Sequence, residues 1–152
     1  MKRFATFTLA LAILGTASVG LVQAALSPDT VDKMKSDAPE VLDVEILSVD
    51  PGKPADPEKH GSITVAYKAK VLDVVKSQSG LKAGDTITIR SYRIRTDLKN
   101  KEEAAKALVE LVGPKQPDLL PKEWKGKAYL KSPNAEGQFG IAVYGHSFES
   151  AE

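Results

Sequence analysis

The chain has 152 residues, with 21 lysines and arginines against 20 aspartates and glutamates, a formal net charge of +1 and no cysteine. The lack of cysteine excludes thiol catalysis, thiolate metal sites and disulfide scaffolds. The near-neutral charge gives no general attraction to nucleic acid or to acidic membrane surfaces, so neither is expected as a partner and any basic patch must be local.

Residues 1–24 are predicted to be a secretory signal peptide. Lys2 and Arg3 precede an uncharged run over 4–22, and small residues precede a cleavage point after Ala24. The run is nearly long enough for an uncleaved membrane anchor, but threonines, serine and glycines interrupt it, which favours cleavage. Cleavage would remove 24 of 152 residues, leave 128, and change the net charge from +1 to −1. The prediction is one exported domain, periplasmic or secreted, with no membrane contact after cleavage.

The N-terminal segment, 25–39, is predicted to hold one short helix over 28–35. Ser27 is a capping residue, Pro28 suits the first helical position, and Asp29 is an acid in the first turn. Pro39 ends the helix.

Three strands are predicted next, over 41–49, 62–76 and 85–92, with a loop over 50–61 that holds three prolines and two glycines. Val44 and Ile46 give the first strand its inward face, and Ile87 and Ile89 do so in the third.

The second strand alternates from Ile63 to Val71 and then changes parity, so that Leu72 and Val74 become the apolar pair. A strand of this length with switched parity predicts a bend or bulge, as barrels require where a strand turns a corner.

A helix over 101–112 is predicted from Ala104, Leu108, Leu111 and Val112 at helical spacing, with a stop at Gly113-Pro114. Strands over 127–131 and 139–144 follow. The element order favours a mainly β, five-stranded OB-like Greek-key barrel over 40–148, with the helix plugging one end and a tail over 149–152. An open α+β sheet with its helix on one face is the alternative.

Short motifs in the barrel region carry a family resemblance. They are the strand exit VVK at 74–76, the turn GLKAGD at 80–85, the strand TITI at 86–89 and the closing segment FGIAVYGHSF at 139–148. This pattern resembles secreted OB domains of the superfamily that contains the tissue inhibitors of metalloproteinases and the netrin modules. The resemblance covers about residues 40–148.

The resemblance implies a fold and a possible inhibitory mode. Those inhibitors chelate a protease zinc ion through an N-terminal cysteine, whereas the mature start here would be Ala25-Leu26-Ser27. The fold is therefore carried over, and no inhibitory residue is.

A basic, aromatic stretch at the end of the third strand is the first candidate ligand site. By strand alternation Arg93 and Arg95 continue the side of Ile87 and Ile89, whereas Arg90 and Tyr92 lie opposite. Arginines with a tyrosine on an OB strand could stack a sugar or base and pair with an anion. The alternative is a set of solvated charges that protects a strand edge.

Trp124, the only tryptophan, stands in the loop before the fourth strand. Exposed, it would anchor a carbohydrate ring or a partner protein. Alternatively, it folds over a barrel end and closes the core. Four lysines surround it in the sequence: Lys122, Lys125, Lys127 and Lys131.

Familiar catalytic and metal-binding motifs are incomplete in this sequence. The segment 145–149 approaches a nucleophile elbow around Ser147, but Glu149 replaces its second glycine and His60 lies upstream of the serine. Asp50, Asp56, Glu58 and His60 share one loop without EF-hand spacing. No catalytic residue, metal site or cofactor is predicted.

The sequence thus favours an exported, non-catalytic binding module that contacts a protein or glycan through the outer barrel face and loops. The alternative is a protease inhibitor that acts through its N-terminal segment.

Overall fold

The computed structural model of the protein describes residues 26–95, 97–110 and 114–151. The elements in chain order are α1 (Pro28–Asp37), β1 (Glu40–Asp50), β2 (Ser62–Ser77), β3 (Thr86–Ile94), α2 (Lys101–Glu110), β4 (Lys125–Pro133), β5 (Gln138–Ile141), a 3₁₀ turn (Tyr144–His146) and β6 (Phe148–Ser150). The predicted signal peptide, 1–24, and Ala25 lie outside the described residues. None of the described helices is long and apolar enough to cross a bilayer.

Five strands close into an OB-like barrel. The hydrogen-bonded order is β1-β2-β3-β5-β4, and β1 pairs with β4 to complete the circle. β3 and β5 run parallel, whereas the other barrel neighbours are antiparallel. The closed barrel is confirmed and the open-sheet alternative is wrong.

The end of the chain differs from the predicted strand and tail. The last barrel strand stops at Ile141 instead of 144, and the chain then forms the 3₁₀ turn. It continues into a sixth strand, β6, which pairs with β4 where a tail was predicted. The observed order therefore has one strand more than the predicted order.

The predicted bend in β2 is confirmed. Val44 of β1 faces Val71, and the preceding Asp43 faces Asp73, so Leu72 is an extra residue in β2. The predicted inward position of Leu72 is wrong, because this bulge leaves its side chain exposed, whereas Val74 packs against the core. A bulge of this kind increases the local twist and lets a long strand follow the barrel wall.

The barrel interior is filled by aliphatic side chains around Tyr67, which is almost completely buried. The Tyr67 hydroxyl accepts a hydrogen bond from the Leu120 N–H at 3.2 Å. Burial raises the pKa of the Tyr67 phenol. This bond fixes the connection before β4 to the core, because an unsatisfied buried N–H would be costly.

Helix α1 begins as predicted. The Thr30 N–H donates to Ser27 Oγ at 3.2 Å, as expected of an N-cap. Lys35 pairs with Glu149 of β6, and Lys76 Nζ donates to the Ser36 carbonyl at 3.0 Å. These contacts hold α1 against the barrel.

Helix α2 contacts its surroundings through other residues than those predicted. Ala107 is buried, but Leu108 is 62% exposed, so Leu108 does not plug the barrel. Leu111 and Val112 lie outside the described residues. Glu103 instead ties α2 to the loop after β1: it accepts hydrogen bonds from the His60 N–H at 2.9 Å and from His60 Nδ1 at 2.7 Å.

Candidate ligand-binding cleft between β3 and β5

A surface cleft opens where β3 and β5 separate. Their ladder ends at the Arg90–Gly140 pair, and β3 then continues to Ile94 while β5 stops at Ile141. The opening has a volume of about 420 Å³ and is lined, among others, by Arg90, Ser91, Tyr92, Lys131, Gly140 and Tyr144. We call it the β3–β5 cleft. Strands β3, β4 and β5 and the 3₁₀ turn all contribute to it.

The β3–β5 cleft carries uncompensated positive charge. Arg90 and Lys131 are exposed, and neither forms an ion pair or a side-chain hydrogen bond with another described residue. The described residues that line the cleft include no aspartate or glutamate. Asp50 and Glu136 line a neighbouring opening, which shares Arg90 and Thr64 with the cleft. An anion in the cleft would therefore meet two cations and no lining carboxylate.

Two tyrosine rings stand at the same cleft. Tyr92 is half-buried and Tyr144 is 40% exposed. Burial raises the pKa of the Tyr92 phenol, and the neighbouring Tyr144 adds to the increase, so the Tyr92 phenol stays neutral at physiological pH.

The backbone of Tyr144 is strained. Its φ is +46°, a left-handed conformation that side chains other than glycine seldom adopt. Such strain concentrates at functional sites, where the surrounding structure holds a residue in place.

Ser91 supplies a buried polar group without a partner. Its side chain follows Ile87 and Ile89 on the inward side of β3 and is 5% exposed, yet it lines the cleft. Its Oγ has no hydrogen-bond partner among the described residues. An unpaired buried hydroxyl costs free energy, and Ser91 Oγ has almost no accessible surface, so a ligand would recover the missing interaction only if the Ser91 side chain turned into the cleft.

The predicted site residues divide into two groups. Arg90 and Tyr92 line the cleft, whereas Arg93, Arg95 and Trp124 are not among its lining residues. The structure thus brings two of the five predicted residues together.

Arg95 binds the loop after β1. It is 7% exposed, and its Nη1 donates to the carbonyls of Asp56 and Pro57 at 3.3 and 2.7 Å. Its Nε bonds to Asp97 at 3.2 Å. Arg93 Nε lies 3.5 Å from the Pro51 carbonyl of the same loop. Both arginines lie toward a loop and not toward the cleft.

Trp124 lies over the core. It is partly buried, and its ring meets Phe148 edge-to-face with a centroid distance of 5.8 Å. Phe148 in turn meets Tyr67 at 6.0 Å. These contacts correspond to the alternative in which Trp124 closes the core. Of the lysines near Trp124 in the sequence, Lys125 forms an ion pair with Glu45, with Nζ 3.7 Å from Oε1, and Lys131 lines the cleft.

Several of the remaining polar candidates have structural partners. Ser147 Oγ accepts a hydrogen bond from the buried Val143 N–H at 2.7 Å. Asp50 and Asp56 accept hydrogen bonds from the N–H groups of Gly52 and Glu58 within their own loop. Within the described ranges, no group of three or more histidine, cysteine, aspartate or glutamate side chains is placed to hold a metal ion.

Eight of the residues that line the cleft were not predicted as site residues, and they include Ser91, Lys131, Gly140 and Tyr144. Ser91 follows the inward parity of β3, and Lys131 is one of the four lysines around Trp124 in the sequence. Each therefore gave partial evidence in the sequence for a site. Gly140 and Tyr144 gave no such evidence in the sequence, because only the parallel pairing of β3 and β5 brings them beside Arg90.

No protein-family model, curated protein or solved structure matches the chain. The resemblance to the metalloproteinase-inhibitor and netrin superfamily therefore stays a prediction from short motifs. The inhibitor hypothesis depends on Ala25, which lies outside the described residues, and it also stays a prediction.

Proposed function

We propose that this chain is an exported, non-catalytic binding module that holds a glycan or protein ligand in the β3–β5 cleft. The observation that carries the proposal is the position of Arg90 and Lys131 beside Tyr92 and Tyr144 in one cleft. Among the described residues, neither cation has an ion-pair partner and no carboxylate lines the cleft. Binding sites commonly combine a concave surface, aromatic rings and a few polar groups that fix orientation.

Binding is favoured over catalysis because the serine and the histidine that come closest to a nucleophile and base are bonded elsewhere. The Ser147 hydroxyl satisfies the Val143 N–H, and His60 is bonded to Glu103. An activated nucleophile would need a base within hydrogen-bond reach, and Ser91 in the cleft has no hydrogen-bond partner among the described residues.

Export is proposed from the charged start and uncharged run of residues 1–24. N-terminal sequencing of the protein recovered from outside the cytoplasm should begin at Ala25. A protein that keeps residues 1–24 and stays with the membrane would contradict this part of the proposal.

The binding site itself is tested by screening the purified protein against a glycan array and a peptide array. Two variants change the cleft: Arg90→Gln removes a charge, and Gly140→Leu fills the space between the strands. A Cβ at Gly140 would meet only Lys131 Cδ, at 3.7 Å, so the fold has room for its first atom. Lys82→Gln, at the turn between β2 and β3, is the matched control outside the cleft.

We expect the wild type and Lys82→Gln to bind the same ligands, and both cleft variants to lose them with little change in melting temperature. Ligands that are retained by both cleft variants would contradict the proposal, as would the absence of any bound ligand on either array.

A further inference from the structure

We infer that the β3–β5 cleft takes an acidic sugar, in which a carboxylate is attached to a pyranose ring, as in a uronic acid. This inference rests on the proposed function and names the class of ligand. It follows from three features of the cleft that a single ligand must satisfy together: charge, aromatic surface and an unpaired hydroxyl.

The charge of the site matches one carboxylate. Arg90 offers a planar guanidinium whose paired N–H groups fit the two oxygens of a carboxylate, and Lys131 adds a second cation. Both side chains are exposed and without an ion-pair partner among the described residues, so a ligand would not have to displace an existing salt bridge.

The tyrosine rings favour a ligand with an apolar face of its own. Tyr92 and Tyr144 present amphipathic surfaces at the cleft, and the C–H face of a sugar ring can pack against such rings while its hydroxyls stay in water. A volume of about 420 Å³ lies within the range of small-ligand sites.

Ser91 distinguishes a sugar from a simple anion. Its buried Oγ lacks a partner among the described residues and can both donate and accept a hydrogen bond. A sugar hydroxyl can also do both, and in a uronic acid the nearest hydroxyl is on the ring carbon next to the one that bears the carboxylate.

An acidic peptide is the main competitor. Its flexible aspartate or glutamate side chains would lose rotamer freedom on binding, whereas in a uronic acid the ring holds the carboxylate in place. The cleft features therefore favour the rigid acidic ring.

The test is a two-dimensional NMR titration of the ¹⁵N-labelled protein. The probes are trisaccharides of glucuronate and of galacturonate, and the matched controls are their methyl esters, which keep the ring and remove the charge. Hexaglutamate represents acidic peptides. We expect the acidic trisaccharides to shift the amide signals of residues 90–92 and 140–142, and the esters to bind at least about tenfold more weakly.

Three variants extend the test. Lys131→Gln should weaken binding of the acidic trisaccharide by about tenfold, because it removes a charged hydrogen bond. Ser91→Ala should weaken it by about fivefold, because it removes a neutral hydrogen bond. Lys82→Gln should leave it unchanged.

Equal binding of the esters, or tighter binding of hexaglutamate at the same amides, would overturn the acidic-sugar inference and leave the cleft as a binding site. If none of the probes shifts the cleft amides, the inference fails. If the array ligands are also retained by the cleft variants, the proposed function fails with it.

Discussion

Arg90 of β3 and Gly140 of β5 form the last pair of the parallel ladder that joins the two strands. Beyond this pair the strands separate, and the surface at Gly140 stays open because the residue has no side chain. A Cβ placed there would be 3.7 Å from Lys131 Cδ, and no other described residue apart from its chain neighbours would come within 4 Å. The end of one ladder therefore places a cation next to open space, which is the geometric basis of the cleft.

Two buried serines should respond differently to loss of their hydroxyls. Ser147→Ala would leave the Val143 N–H without its partner, and we expect it to lower the free energy of unfolding by about 1–3 kcal/mol. Ser91→Ala loses no bond within the described chain and removes an unpaired buried hydroxyl, so it should be neutral or stabilising by about 1 kcal/mol. Urea denaturation measures both. Equal losses would show that Ser91 has a structural partner.

Two glycines should also differ. A Cβ at Gly126 would lie 2.1 Å from the Glu149 carbonyl oxygen and 2.6 Å from the Trp124 ring, so Gly126→Ala should cost about 1–3 kcal/mol of stability. Gly140→Ala has room and should be neutral, or stabilising by up to about 1 kcal/mol, because alanine loses less backbone entropy on folding. The melting temperatures of the two variants, compared with the wild type, check this. A fall for Gly140→Ala like that for Gly126→Ala would refute the open-cleft geometry.

Arg95 and Arg93 should differ in how they hold the loop after β1. Arg95→Ala removes the donor to the Asp56 and Pro57 carbonyls, so we expect faster tryptic cleavage after Lys59. Arg93→Ala removes one long contact and should leave the cleavage rate near that of the wild type. If the two variants are cleaved at the same rate, the hydrogen bonds from Arg95 do not hold the loop in place.

Glu103 should titrate far below an ordinary glutamate. Hydrogen bonds from Lys106, from the His60 N–H and from the His60 ring lower the pKa of its carboxyl to about 2, from an ordinary 4.5. Because the folded pKa is depressed, its contribution to stability is present above pH 4.5 and is lost as the pH falls toward 2.

Carbon-13 NMR of the Glu103 carboxyl tests this shift. We expect a midpoint near pH 2 and faster exchange of the His60 amide below it, and Glu103→Gln should remove the titration step. A midpoint near 4.5 would show that the link between α2 and the loop is not formed in solution.

The barrel strands could be predicted because their signal is local. Alternating β-branched residues mark β2 and β3, and a change of parity marks the bulge at Leu72, although not the direction of its side chain. β6 was missed because three residues are too few for a periodic pattern. Leu108 was assigned inward because helical spacing predicts a face, but it does not say which side of a short helix meets the protein.

Only part of the candidate site could be predicted from the sequence, because the site combines neighbours on one strand with residues from distant parts of the chain. Arg90 and Tyr92 are neighbours on one strand, so their shared face follows from the period of two. Tyr144 and Gly140 join them through a pairing between strands that are distant in sequence. Arg95 shares the basic stretch, but a loop folds back over it, which a strand pattern does not reveal.

The most direct test of the central claim, that the β3–β5 cleft binds anionic ligands bearing a ring, is an NMR titration with benzoate, using benzyl alcohol as the neutral control. We predict that benzoate shifts the amides of residues 90–92 and 140–142, that benzyl alcohol does so much less, and that Arg90→Gln abolishes the difference. Benzoate shifts confined to other parts of the barrel, or equal shifts in Arg90→Gln, would contradict the claim.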